Sequence, residues 1–349
     1  MGVVQPKAAR AYCPILGQVR CIAARKLAFT ETANDFTMTG PAAESGESEA
    51  VRHRLPVGSY ARRLVPLLYF LVVSLPHHPV SSFYEKEILI PAGFYSVNHA
   101  LDIITIVVLA GVLALAIRVA RVHGRVALEH LALWLALVVL MFLADRYLIV
   151  NNVERIHFPQ YAILAVLLGF SLRSEMLIFF VASFAGFVDE FLQFVMNPVV
   201  TNYLDFNDIT LNILGAALGI AFLLAFRKPA SVEQTTYERR FKLVFLRSMG
   251  FLALIVAVAF LLGRVVMVAD HVQQRRVFDV VGGKLSFIMS FERHDLFWQK
   301  SYFGKVFHIL SPLQGLVTAA TLSACFWWST RQLKASAETV RANEQRRPL

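Results

Sequence analysis

The stretch DFNDITLNILGAALGIAFLLAF, running from Asp205 to Phe226, decides the fold. From Ile209 onward it is almost wholly apolar or small, with no polar face returning at each turn as a half-buried helix of a water-soluble domain would need. Its length suits a bilayer, which takes about 20 apolar residues to cross. The start of the stretch is different in kind. Asp205, Asn207, Asp208 and Asn212 crowd one end, and Asp208, Asn212, Gly215 and Gly219 fall at i, i+4, i+7 and i+11, one face of a helix. The preceding apolar segment, Met176 to Met196, carries Gly186, Glu190, Gln193 and Asn197 at the same spacing. The short connection makes the two helices antiparallel neighbours. A polar end running into small residues lets two backbones approach while their polar groups meet at one level.

Composition extends this reading to the whole chain. Of 349 residues, 57% are apolar and only 17% charged, and mean hydropathy is +0.57. Soluble domains carry about 25% charge, so lipid is the expected solvent for much of the surface. The formal charge of +10 is spread in short basic runs between apolar segments. That pattern orients membrane proteins and argues against a nucleic-acid partner. Cys13, Cys21 and Cys325 form no CxxC pair, so neither disulfides nor thiolate metal sites are expected.

Further apolar segments run from about Leu64 to Val80, Leu101 to Ala120, Ala127 to Ala144, Pro159 to Leu172, Ser248 to Ala269 and Val306 to Thr330. Together they predict an all-α polytopic membrane protein of about eight transmembrane helices. Arg62, Arg63, Arg118, Arg121, Arg173, Arg227, Lys228 and Arg331 flank alternate ends, which places both termini on the cytoplasmic side. Residues 1–58 read as a weakly structured cytoplasmic extension without a secretory signal, and 59–228 as the main membrane domain. Residues 229–349 read as two more helices joined by an extracytoplasmic loop, 270–305, with a basic tail. Within that loop Leu285, Phe287, Met289 and Phe291 alternate with Lys284, Ser286, Ile288 and Ser290, and Gly282-Gly283 precedes them. This predicts a small extracytoplasmic β-hairpin.

On this topology several polar groups fall on the same outer side. They are Asp102, Asp145-Arg146, His157 with Tyr161, Glu190 with Gln193, and Asp205, Asp208 and Asn212. The segments Glu154-Arg155-Ile156-His157-Phe158-Pro159-Gln160-Tyr161 and Glu190-x-x-Gln193, then Asp205-x-x-Asp208-x-x-x-Asn212-x-x-Gly215, resemble those of the VanZ-like family of membrane proteins. The resemblance covers Leu64 to Phe226. Members of that family commonly carry an Arg in the loop here spanning Asn197 to Asn207, where this chain has none. The resemblance implies a multi-pass protein of the bacterial cytoplasmic membrane, related to a protein associated with teicoplanin resistance.

Three functions are open at this point. The first is an enzyme or accessory factor acting on a cell-envelope molecule, such as a lipid-linked glycan or peptidoglycan precursor. Glu190 or Asp208 would then be general base and His157 its proton partner, with Tyr161, Gln193, Asp205, Asn212, Asp145 and Arg146 lining the substrate site. The second is a transporter or flippase, and the third a non-enzymatic scaffold. The same acids and amides would serve equally as a hydrogen-bonded clamp on helix ends, and Asp205 as a helix N-cap. His157 with Glu190, Asp205 and Asp208 also offers donors for a divalent metal, although no short ligand motif such as HExxH is present. No cofactor is otherwise indicated.

Overall fold

Among the described residues the long apolar runs are helical. The computed structural model describes residues 57–123, 125–196, 203–226, 236–270, 277–292, 296–300 and 304–345. The N-terminal extension through residue 56 and Asn197 lie outside the described residues. In chain order the helices are α1 (Val57–Ser74), α2 (His77–Phe83), α3 (Ile90–Ala92), α4 (Phe94–His123), α5 (Arg125–Tyr147), α6 (His157–Gly169), α7 (Glu175–Met196), α8 (Phe206–Phe226), α9 (Thr236–Leu261) and α10 (Pro312–Gln345). A π-helical turn, Tyr84–Leu89, precedes α3, and a 3₁₀ turn, Asn152–Ile156, precedes α6.

Among the described residues five stretches are long and apolar enough to cross a membrane: Tyr95–Leu115, His130–Tyr147, Glu175–Met196, Phe206–Ala225 and Glu238–Leu261. Three of the expected spans fall short of that description. The segment from Leu64 is divided where α1 stops at Ser74, and its apolar part is Arg63–Ser74. Helix α6 has 13 residues, and α10 is diluted by Gln314, Thr318, Thr321, Ser323 and Ser329.

Helix α8 is the centre of the bundle and packs against α5, α6, α7 and α10. Of its apolar span 78% is buried, against 6% for α4 and none for α9. A helix apolar on every side is stable only inside the protein or in lipid, and α8 takes the first option. Helices α4 and α9 leave Ile103, Ile106, Val107, Leu252, Leu254 and Ile255 exposed. Such continuous apolar surface drives association in water and suits a lipid surround.

The glycines of α8 correct the expected pairing. A Cβ on Gly215 would lie 2.7 Å from the Phe158 carbonyl oxygen and 2.9 Å from that of His157, and one on Gly219 would meet the Ala162 backbone. The small-residue stripe therefore seats α6, not α7. Contact between α7 and α8 is made instead at Gly186, whose Cβ would fall 2.6 Å from Asn212 Cβ.

Two of the expected membrane segments end in strands. Gly263, with φ of +66°, closes α9, and the Arg264 N–H reaches back to the Ala259 carbonyl at 2.7 Å. The chain then forms β1 (Val265–Asp270), β2 (Phe278–Val281) and β3 (Lys284–Glu292) in the order β1-β3-β2. Strands β2 and β3 pair antiparallel, Phe278 opposite Phe287 and Val281 opposite Lys284. Between them Gly282 and Gly283 both take positive φ, as the tightest antiparallel turns require. Strand β1 pairs parallel to β3, Val265 opposite Phe287. The valine-rich run 265–268 is thus sheet and not the end of a membrane helix. A second ladder joins β4 (Gln299–Lys300) to β5 (Val306–Phe307), so the last helix begins only at Pro312.

The sheet and the segment before α10 cover one end of the bundle. Phe287 of β3 packs on Phe191 and Phe194 of α7 at ring distances of 5.9 and 6.2 Å. The Leu204 N–H donates to the Ser290 carbonyl at 3.3 Å, and the His308 N–H to the Tyr147 carbonyl at 2.7 Å. The Asn207 amide ties these pieces together. It donates to the carbonyls of Leu148 and His308 and accepts from the Leu310 N–H, all within 2.8–2.9 Å.

A buried histidine-carboxylate cluster as the candidate site

Beneath that cover three helices bring their polar ends together. The 3₁₀ turn sets the entry to α6, because the Glu154 carboxylate accepts from the Asn151 N–H at 3.0 Å and the Val150 N–H at 2.8 Å. His157 follows at the first turn of α6, only 3% exposed. Its Nδ1 lies 2.9 Å from Asn212 Oδ1 and 3.9 Å from Glu190 Oε1, and its Nε2 lies 3.5 Å from Asp208 Oδ2. Glu190 is 2% exposed. Helices α6, α7 and α8 each supply at least one member.

The hydrogen bonds place a proton on one imidazole nitrogen, Nδ1. The Asn212 amide nitrogen donates to the Gly186 carbonyl and to Glu190 Oε1, both at 3.3 Å. Its oxygen must therefore be the atom facing His157, and an oxygen can only accept. Nδ1 of His157 is the donor, which leaves Nε2 turned toward Asp208. A neutral imidazole in this tautomer presents a lone pair at Nε2 beside a carboxylate whose other oxygen, Oδ1, is buried without a hydrogen-bond partner among the described residues.

Further acids surround this core. Asp189, fully buried, accepts from the Tyr161 hydroxyl at 2.8 Å and the Gln160 amide at 3.5 Å, and its Oδ1 lacks a hydrogen-bond partner among the described residues. Asp205 caps α8, accepting from the N–H groups of Asn207 at 2.8 Å and Asp208 at 3.3 Å. Burial and the neighbouring Asp208 charge push the Asp205 carboxyl up to about 7, against the pull of those two donors. The same two causes, burial first, push Glu154 up to about 8.

That Glu154 shift has a measurable consequence. An acid whose folded value is raised holds its proton longer in the folded chain. Its contribution is full below the ordinary value near 4.5 and is lost as pH rises through about 8. In metal-free buffer, the melting temperature of the detergent-solubilised protein is expected to fall between pH 5 and pH 9. Glu154→Gln should flatten that fall, and an unchanged slope in the variant would refute the assignment.

The expected site residues divide among several environments. His157, Glu190, Asp208 and Asn212 meet directly, and Tyr161 reaches the cluster through Asp189. Gln193 Nε2 is buried without a hydrogen-bond partner among the described residues. Asp145 belongs to a neighbouring network, where Arg155 grips it through Nε at 2.5 Å and Nη2 at 3.1 Å and reaches Asp102 at 2.6 Å. The Arg146 guanidinium lies over the Tyr147 ring, 5.9 Å from its centroid, and makes no described contact with the cluster. His308, outside the cluster, stacks on Phe297 at 3.9 Å.

Sequence reasoning gave Asp189, Glu154 and Arg155 no role at this end, although all three lie in segments it drew on. Asp189 precedes Glu190 and was overshadowed by it, although i, i+4 spacing to Gln193 places both on one face. No family model, no curated protein and no solved structure matches this chain.

Proposed function

We propose that this chain is a VanZ-like multi-pass protein of the bacterial cytoplasmic membrane whose cluster binds or acts on a cell-envelope molecule. The substrate class would be a lipid-linked glycan or a peptidoglycan-related precursor. In this reading α1, α6 and α10 join the five long apolar helices to make eight passes. Both termini are then cytoplasmic, as the basic flanks favour, and the β2–β3 turn and the cluster face outward.

The observation that carries the proposal is one imidazole held between two carboxylates, with its tautomer set by a buried amide. Ionisable groups kept inside a membrane protein are costly and commonly mark sites of function. Asp208, beside Nε2, is the better placed general base, and His157 passes the proton on. Glu190, held by Asn212, orients that pair. Envelope integrity and glycopeptide susceptibility of a deletion strain complemented with Glu190→Gln or Asp208→Asn test this. Loss of complementation with normal protein levels is expected, and full complementation by both variants would sink the proposal.

A clamp reading has its own observation in its favour. Asn212 alone links α8 to Gly186 and Glu190 of α7 and to His157 of α6. Native mass spectrometry of the gently solubilised protein separates the two. A bound mass present in wild type and absent from the Glu190→Gln/Asp208→Asn protein supports a ligand site. Equally bare proteins, with only the variant less stable, support the clamp.

A further inference from the structure

We propose that His157, Glu190 and Asp208 are the ligands of one divalent first-row transition cation, Zn²⁺ or Mn²⁺. This deepens the reading of the cluster as a ligand site and rests on it. Three observations carry it, the first of them the spacing. One donor atom from each of the three residues lies within 4.8 Å of the other two. The 3.5 Å between Nε2 and Asp208 Oδ2 is long for a charge-assisted hydrogen bond, which closes to about 2.7–2.9 Å. It is close to the edge between two donors on one tetrahedral ion, roughly 3.3 Å for bonds near 2.0–2.1 Å.

The second is the tautomer. With Nδ1–H donating to Asn212 Oδ1, the Nε2 lone pair is left for a metal. A histidine ligand oriented by a hydrogen bond from its other nitrogen is the usual arrangement around a bound ion. Asn212 is itself held by Gly186 and Glu190, so the donor is fixed before any ion arrives.

The third is the unbalanced polarity. Among the described residues the basic group paired with Glu190 and Asp208 is His157, one imidazole against two carboxylates and no Lys or Arg, and Asp208 Oδ1 is buried with no hydrogen-bond partner among them. Buried carboxylates are normally paired with a cation or coordinated to a metal. An imidazole with two carboxylates favours Zn²⁺ or Mn²⁺ over Mg²⁺ or Ca²⁺, which prefer all-oxygen sites.

The test uses the full untagged chain in detergent, stripped with chelator and then titrated with Zn²⁺, Mn²⁺ or Mg²⁺. Elemental analysis after desalting should find close to one Zn²⁺ or Mn²⁺ per chain. The melting temperature should rise saturably with these ions and not with Mg²⁺. Binding should weaken at least tenfold in His157→Gln, Glu190→Gln and Asp208→Asn, and stay unchanged in Asp145→Asn. A second readout needs no variant: the pulsed electron-spin signal of bound Mn²⁺ should show coupling to one imidazole nitrogen. Absence of bound ion, binding that survives all three variants, or bound Mn²⁺ without nitrogen coupling would each overturn the proposal. The complementation assay stands apart from this result. If both acid variants fail to complement while wild type binds no ion, the metal is refuted and the envelope function is not.

Discussion

Gly219→Leu is expected to abolish the folded, monodisperse protein. A Cβ at this position would collide with the Ala162 carbonyl oxygen, lie 2.8 Å from Ala165 Cβ and sit 2.9 Å from Ala162 Cα. Most of these are backbone atoms, so no rotamer change relieves the contact, and α6 must move off α8 as a whole. Overpacking a tight interior costs about 1–3 kcal/mol, and backbone separation along the bundle's central helix places this variant at or beyond the upper end. Size-exclusion chromatography should show aggregate in place of the monodisperse peak. For any surviving fraction, a fall in melting temperature of about 4–5 °C is expected from about 3 kcal/mol in a chain of this size. Gly111→Leu in α4 and Gly250→Leu in α9 are the matched controls, because a Cβ at either site meets nothing within 4 Å. Both should behave like wild type. A normal profile for Gly219→Leu would mean that α6 and α8 are not packed as described.

Asn212→Leu is expected to be the most damaging change within the cluster, exceeding loss of either carboxylate's charge. The amide, fully buried, makes three interactions at once. A leucine of similar volume keeps the packing but strands the His157 Nδ1–H and one Glu190 oxygen, and removes the second bond to the Gly186 carbonyl. Each orphaned buried group costs about 1–3 kcal/mol, so a loss of about 3 kcal/mol or more follows. Imidazole orientation goes with it, since nothing else described holds Nδ1. Thr210→Val on the same helix is the comparison. That hydroxyl is also buried but bonds only to the Phe206 carbonyl one turn back, and its loss should cost about 1 kcal/mol or less. Thermal unfolding of both proteins, with complementation alongside, checks the ranking. Equal stability in the two variants would show that Asn212 is not the link between the three helices.

The apolar helices and the end at which the polar groups collect were legible from residue order alone. Period and length suffice for a segment like Ile209 to Phe226, because no other structure satisfies so many apolar residues and their backbone groups together. Short apolar runs were a different matter. Val265 to Val268 reads equally as the end of a helix or as a strand, and its state depends on Gly263 ending α9 and on β3 lying beside it. The site divided in the same way. His157, Glu190, Asp208 and Asn212 stood out because polar residues next to long apolar runs are few. Asp145 and Arg146 stood out for the same reason, yet only one of them is held in a network at that end, and its partner there is Arg155.

Residue order by itself determined that this chain is mainly helical, that it carries helices suited to a membrane, and that its acids, amides and one key imidazole gather near one end; the count of five such helices among the described residues, against about eight expected, came from the structure. Tertiary structure alone decided that the glycines of α8 seat α6, that a three-stranded sheet packs on the end of α7, and that Asn212 accepts from Nδ1 of His157. The physical reason is range. Hydrophobic periodicity acts within a segment and survives in the one-dimensional pattern. A hydrogen-bond direction or a backbone contact depends on which segment lies alongside, and His157 and Asn212 are separated by 55 positions in the chain.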